Sequence, residues 1–389
     1  MLKKNFHTNI IALILTVLSS VCISPIANAE PSTILGTTGV NPHSMTIDLS
    51  GNIYTANNVD NTVTKITPGG VSTILGTTGA NPFGITIDST GNIYTSNTGA
   101  NTVSKITPQG VSTILGTTGA EPIGITIDSL GNIYTANGVD DNVSKITPGG
   151  VSTTLGTTGR NPFGITIDSS GNIYTSNNMA ATVTKITPGG VPTTLGTTGT
   201  APRGIIIDSL GNIYTANYGA NNVSKITPQG VSTILGTTGN QPLGITIDST
   251  GNIYTANDGS SNVSKITPQG VSRILGTTGT RAFAITIDSA GNIYTSNYAA
   301  HNVSKITVFD QAAANAEAAR VAAANAEAAR KAKEQKELME ILAIIPKIGE
   351  LTLSLGETTK SLYSTKCVKG KTTKYVKYGA KCPKGYVKK

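Results

Sequence analysis

Short runs of apolar and polar residues alternate along most of the chain. In residues 83 to 116, Phe83 to Asp88 alternates within a β-branched run, Asp88-Ser89-Thr90-Gly91-Asn92 predicts a tight turn, and Ile93-Tyr94-Thr95 predicts a second strand. Val103 to Thr107 reads as a third strand, Pro108-Gln109-Gly110 as a turn, and Val111 to Leu115 as a fourth. The pattern recurs every 40 residues, marked by Leu35, Leu75, Leu115, Leu155, Leu195, Leu235 and Leu275 and by a Gly-Asn-Ile-Tyr-Thr string from Gly51 to Gly291. Four short antiparallel strands per repeat predict the blade of a β-propeller, since parallel solenoid coils need a shorter period and no tight reversals.

The ends of the array fit one another. With the strands called a, b, c and d, Ser32 to Gly36 is a d strand with nothing before it, and the copy at Phe283 to Thr307 has a, b and c but no d. The first strand is therefore expected to complete the last blade, closing an all-β propeller of seven four-stranded blades over residues 30–307.

Pro82-Phe83-Gly84-Ile85-Thr86-Ile87-Asp88, then Gly91-Asn92-Ile93-Tyr94, Asn101 and Lys105-Ile106, resembles an NHL repeat, with similar strings in all seven copies. The resemblance implies a propeller, often six-bladed, that binds protein, nucleic acid or carbohydrate and sometimes performs metal-assisted lyase or hydrolase chemistry. Asn57, Asn97, Asn137 and their counterparts stand where that family commonly has Asp after the second strand.

The flanks differ from this body. Lys3 and Lys4, the apolar run Ile10 to Val21 and Ala27-Asn28-Ala29 predict a cleaved secretory signal at residues 1–29; a lipoprotein anchor on Cys22 is disfavoured by Val21 before it. Residues 308–365 predict a helical stalk: an Ala-rich decapeptide occurs twice from Gln311 to Arg330, and Leu338, Ile341, Leu342 and Ile345 share a stripe before Pro346. Its Ala-rich early part reads as a stalk with an apolar lower end, and self-association of the helix as a coiled coil is the alternative. Residues 366–389 carry nine lysines and no acid, with Cys367 and Cys382 an even pair in an exported chain. They are similar to short Lys-rich two-Cys modules of secreted bacterial proteins, and predict a disulfide-tied hairpin.

Charge decides the partner classes. The net +8 of the 389 residues is concentrated at the C-terminal end: residues 30–307 hold 11 Lys or Arg against 13 acids, residues 308–389 hold 16 against 8. A nucleic-acid-binding body is thereby excluded, while Lys369, Lys371, Lys374, Lys377, Lys381 and Lys384 suit an anionic envelope polymer or lipid headgroups.

Comparing the repeats shows that the d–a and b–c connections vary while the two other turns are nearly constant, so variation gathers on one face of the disc. There His43, Phe83, Ile123, Phe163, Arg203, Leu243 and Phe283 are expected to ring the channel mouth, either as a ligand cup or as a plug. Asp60, Asp140, Asp141, Tyr218, Asp258 and Tyr298 make a polar rim. These positions predict a secreted or envelope-associated non-catalytic binding protein with a glycan, peptide or protein ligand and no cofactor. The alternative is a metal-dependent lyase or lactone hydrolase, with a divalent metal shared by His43 and His301, the mature chain's two imidazoles. The seven turn aspartates and the lysines from Lys65 to Lys305 recur identically and read as structural.

Overall fold

The computed structural model describes residues 30–308, single positions between 323 and 337, and residues 364–377 and 379–389. The expected signal peptide lies outside the described residues. The chain divides into two units, with the boundary between Ala314 and Asn315.

In the first unit each repeat folds as one four-stranded antiparallel sheet, strands paired in chain order. In the second repeat they are Pro82–Ile87, Ile93–Asn97, Thr102–Ile106 and Ser112–Thr117, each within a residue or two of its expected place. Seven such sheets occur among the described residues. The last is built from Ala282–Ile287, Ile293–Asn297, Asn302–Ile306 and Ser32–Thr37, the N-terminal strand lying antiparallel to Asn302–Ile306. This is a β-propeller arrangement.

The Asp-x-x-Gly-Asn-x-Tyr string folds locally for a reason visible in its atoms. Asp88 Oδ1 accepts from the backbone N–H of Thr90 and of Asn92, and Oδ2 accepts from Asn92 Nδ2 at 2.8 Å and from the Tyr94 hydroxyl at 3.0 Å. Gly91 sits at φ +84°, a conformation that suits glycine. Burial pushes the Asp88 carboxyl up, but the bonds from Asn92, Thr90 and Tyr94 outweigh it and hold the pKa at about 2. Burial and the adjacent Asp88 carboxylate push the Tyr94 hydroxyl up. Lys105 places its ammonium 5.7 Å from the Tyr94 ring centre, and six other sheets repeat the contact. These carboxylates are occupied by local donors, as a turn role requires.

Hydrophobic burial joins the sheets. Tyr54, Ala56 and Val63 of one sheet pack with Ile85, Ile93 and Ile106 of the next. Met45, Ile53 and Ile66 pack with Tyr294 and Val303, so the first and last repeats share a core in the same way. Each sheet thus buries its apolar face only against neighbours, as repeat architectures do.

The Asn that departs from the NHL pattern belongs to this interior. Asn97 is fully buried; its Oδ1 accepts from the Thr95 hydroxyl at 3.0 Å, and its Nδ2 donates to Thr102 Oγ1 at 3.0 Å and Ser104 Oγ at 2.9 Å. A carboxylate has no donor for the last two bonds, which is why an amide fits here.

In the second unit, the described positions between 323 and 337 are helical, with Arg330 paired to Glu327 and Glu334 at helical spacing. The stripe Leu338 to Ile345 and the helix end at Pro346 lie outside the described residues, and the expected coiled coil and its self-association find no support. The basic end forms three strands, not the two of a hairpin. Ser364–Lys369 is central, flanked by Thr372–Lys377 and Val387–Lys388. The expected bond between Cys367 and Cys382 is present, with Cys367 buried. No described helix is long and apolar enough to cross a membrane.

Candidate functional site

Every first strand begins with Pro or Ala followed by the variable residue, and the seven variable side chains converge. His43, Phe83, Ile123, Phe163, Arg203, Leu243 and Phe283 line one cavity of about 190 Å³. In five of the seven strands a glycine follows and permits close approach of the inner strands: a Cβ on Gly84 would stand 2.6 Å from the Ile123 carbonyl oxygen. The ring is not a solid plug, since it leaves this cavity between its side chains. Its aromatic members touch one another edge to face, Phe83 lying 5.4 Å from Phe163 and 5.7 Å from Phe283 between ring centres.

Two polar residues interrupt the apolar lining. His43 packs among Phe83 at 4.3 Å, Phe283 at 4.7 Å and Tyr298 at 5.0 Å, and its Nδ1 is buried without a hydrogen-bond partner. Burial, with the charge of Arg281 adding to it, lowers its pKa to about 4, so the imidazole is neutral at pH 7. Arg203 lies between two rings, its guanidinium carbon 3.8 Å from the centre of Tyr218 and 5.0 Å from that of Phe163. Its Nε is buried with no partner, and burial is the main cause that lowers its pKa.

The rim residues divide into two groups. Tyr218 and Tyr298 reach the mouth through Arg203 and His43. Asp258, almost fully buried, takes a bidentate contact from Arg281, Nε to Oδ1 at 2.9 Å and Nη2 to Oδ2 at 3.1 Å, and that guanidinium lies 4.6 Å from the Tyr298 ring centre. Asp60 and Asp140 instead brace their own loops, accepting from the backbone N–H of Val40 at 2.6 Å and of Ala120 at 2.7 Å. Asp141 accepts from the N–H of Asn161.

His301 is a brace as well. Its Nδ1 accepts from the backbone N–H of Asn41 at 3.1 Å, the same inter-repeat bond that Asn61 makes to Asn81 and Asn101 makes to Glu121. The expected metal shared by His43 and His301 finds no support: the Nδ1 of His301 is committed to backbone, and the described residues contain no group of three His, Cys, Asp or Glu able to hold an ion.

Sequence reading missed Arg281, although it is the cation among the residues that occupy its repeat position, Asn41, Asn81, Glu121, Asn161, Ala201 and Gln241. It also missed a pairing between two strands. The three repeats with Phe at the mouth carry Ser96, Ser176 and Ser296 on the second strand, where the others have Ala56, Ala136, Ala216 and Ala256. Ser96 Oγ accepts from Gly84 N–H at 3.0 Å and donates to the Ile123 carbonyl at 2.7 Å, and Ser176 does the same for Gly164 and Arg203. These two hydroxyls each tie a Phe-bearing strand to the next, Ser296 accepts from the Ala284 N–H of its own sheet, and the coincidence of Phe with Ser was readable from the repeats.

The family model described as the Virginiamycin B lyase family matches residues 111–328, more than half of the chain. Among solved structures, virginiamycin B lyase from Staphylococcus aureus superposes with a TM-score of 0.63 at 18% identity, over 72% of this chain and 99% of that one. A catalytically inactive His-to-Ala variant of that lyase, determined with quinupristin, gives 0.62 at 18% identity, with 72% and 99% covered. The WD40 β-propeller domain of Doa1 gives 0.62 at 10% identity over the same shares. At these identities the structures speak for the fold. No curated protein matches the chain by sequence.

Proposed function

We propose that this chain, which belongs to the virginiamycin B lyase family, is itself a lyase, built as a closed seven-bladed propeller and exported, whose substrate enters the mouth. The expectation of a purely non-catalytic receptor gives way, because the family is one of enzymes. The observation that carries the reading is the convergence of His43 and Arg203, each with an unpartnered buried nitrogen, on one cavity.

A lyase of this kind needs a base in its neutral form and a stabiliser for developing negative charge. His43 is kept neutral by burial. It would take a proton from the carbon beside a carbonyl or carboxyl group; the C–H pair becomes the new double bond, and the leaving group departs with the electrons of its own bond. Arg203 stabilises the charge that builds on the oxygen. The described residues do not fit a resident divalent ion, so no step is assigned to one.

The test incubates the full chain separately with virginiamycin B, quinupristin and a set of β-acyloxy and β-hydroxy acids. The expected result is turnover of at least one, with product masses summing to that of the substrate, a new double-bond absorbance, and loss of both in His43→Ala. Products that have gained a water, or no turnover of any compound, would refute the lyase reading.

The basic end supports a second element, attachment to an anionic envelope polymer. Its nine lysines face no acid within residues 366–389, and Lys369, Lys371, Lys374, Lys377, Lys381 and Lys384 are exposed. Co-sedimentation with envelope fractions should be lost on truncation after Thr307 and weakened by salt. Retention by the truncated chain would count against it.

A further inference from the structure

Arg203 is a half-buried cation whose Nε is buried without a hydrogen-bond partner. Of the other arginines, Arg281 is bonded to Asp258, and Arg273 stands 3.6 Å from Glu30. Arg203 forms no ion pair among the described residues. Asp258 is the carboxylate whose charge reaches it, but both oxygens of Asp258 are already held by Arg281. Tyr218 and Phe163 lie against its guanidinium, and aromatic rings do not replace a hydrogen-bond acceptor for a planar fork of N–H groups.

The surroundings narrow what can supply that acceptor. None of the rim carboxylates is bonded to Arg203: Asp258 is held by Arg281, and Asp60, Asp140 and Asp141 accept from loop backbone N–H groups. The variable ring around Arg203 and His43 is Phe, Leu and Ile, which can cover an apolar body, while Ser44 and the glycines that follow most ring positions put a hydroxyl and backbone on the same lining. At about 190 Å³ the cavity is smaller than the roughly 300–1,000 Å³ that accommodates drug-sized ligands.

We propose that the mouth is a carboxylate site: the carboxylate of a small monoanion, or of a small apolar end of a larger molecule, pairs with Arg203 while its apolar body lies against Phe83, Phe163 and Phe283. The inference rests on the mouth being the substrate site and adds the substrate class. A carboxylate held there by Arg203 carries its adjacent C–H on the cavity that also holds His43, which is the bond an elimination must break.

The test is calorimetric titration of the full chain with 3-phenylpropionate and, in parallel, with the isosteric neutral 3-phenylpropanamide. The acid should bind at least about tenfold more tightly than the amide, because only the acid offers a charge to the Arg203 guanidinium. Arg203→Gln should erase that preference, while Arg203→Lys, which keeps the charge but not the fork, should retain part of it. Comparing two ligands on one unaltered protein keeps the result independent of whether a variant folds. Equal binding of acid and amide, or a preference that survives Arg203→Gln, would overturn the carboxylate assignment. The lyase reading is decided by product formation, so either can fail without the other.

Discussion

Replacing Asn97 by Ala tests whether the amide after each second strand is a structural joint. Its side chain makes three hydrogen bonds, to Thr95, Thr102 and Ser104, from a position with no solvent exposure. A hydrogen bond contributes about 1 kcal/mol net, and a buried hydroxyl left without an acceptor costs about 1–3 kcal/mol. Thr95 is fully buried and loses its acceptor, whereas Ser104 keeps the N–H of Gly79 at 2.9 Å. The expected loss is therefore about 3 kcal/mol. The chain has no Trp and 13 Tyr, so urea unfolding can be followed by near-ultraviolet circular dichroism of tyrosine. With a slope of about 3 kcal/mol/M, the midpoint should fall by about 1 M. Thr98→Ala, which removes one exposed hydroxyl bond to the Asn81 carbonyl at 2.9 Å, is the control and should stay within about 0.5 kcal/mol. A midpoint for Asn97→Ala within about 0.2 M of the parent would refute the joint and reopen this position as a site.

Other consequences concern charge and the disulfide. His43 titrates near 4 in the native state against about 6.5 unfolded, so the unfolded chain alone takes up this proton between those values; stability should fall as pH drops from about 6.5 to 4, and His43→Phe should flatten that window in urea titrations. Asp88 has the same sign in a lower window: with a native pKa near 2 against about 3.9 unfolded, its contribution is present above about 3.9 and lost as pH falls through 2. Since this carboxyl is mostly solvated, Asp88→Asn should alter acid stability by only about 1 kcal/mol. Arg281→Ala leaves the buried Asp258 unpaired and should destabilise by about 3 kcal/mol, more than Asp258→Asn, which leaves a half-exposed cation; reversal of that order in denaturation midpoints would contradict the assigned burial. Cys382→Ser opens a loop of 15 residues, worth about 3 kcal/mol, and should let trypsin at low protease cleave at the module's exposed lysines by freeing their backbone, while the oxidised chain resists.

The blade was legible because its determinants are local. Asp88, Gly91, Asn92 and Tyr94 close their own turn, and every pairing between neighbouring strands of a repeat spans few residues, so period and turn chemistry specify the strands. The mouth positions were legible from variation between repeats, but their chemistry was not. His301 resembled a ligand until its Nδ1 was found bonded to Asn41, and Arg281 drew no notice until it met Asp258. Asn97 looked like a departure from a pattern, yet its donor capacity is what two hydroxyls on the neighbouring strand require.

By itself the sequence determined the repeat, the four strands of each copy, the basic end and the pair of cysteines, because each follows from composition or from contacts within about one repeat. Only the tertiary structure decided which side chains meet. His43 and Phe283 lie at opposite ends of the array and touch at 4.7 Å, and such proximity exists only once the sheets have packed side by side. The same packing withdraws His43 and Arg203 from water, and a proton affinity or an unanswered charge is set by that desolvation, which no string of residues carries alone.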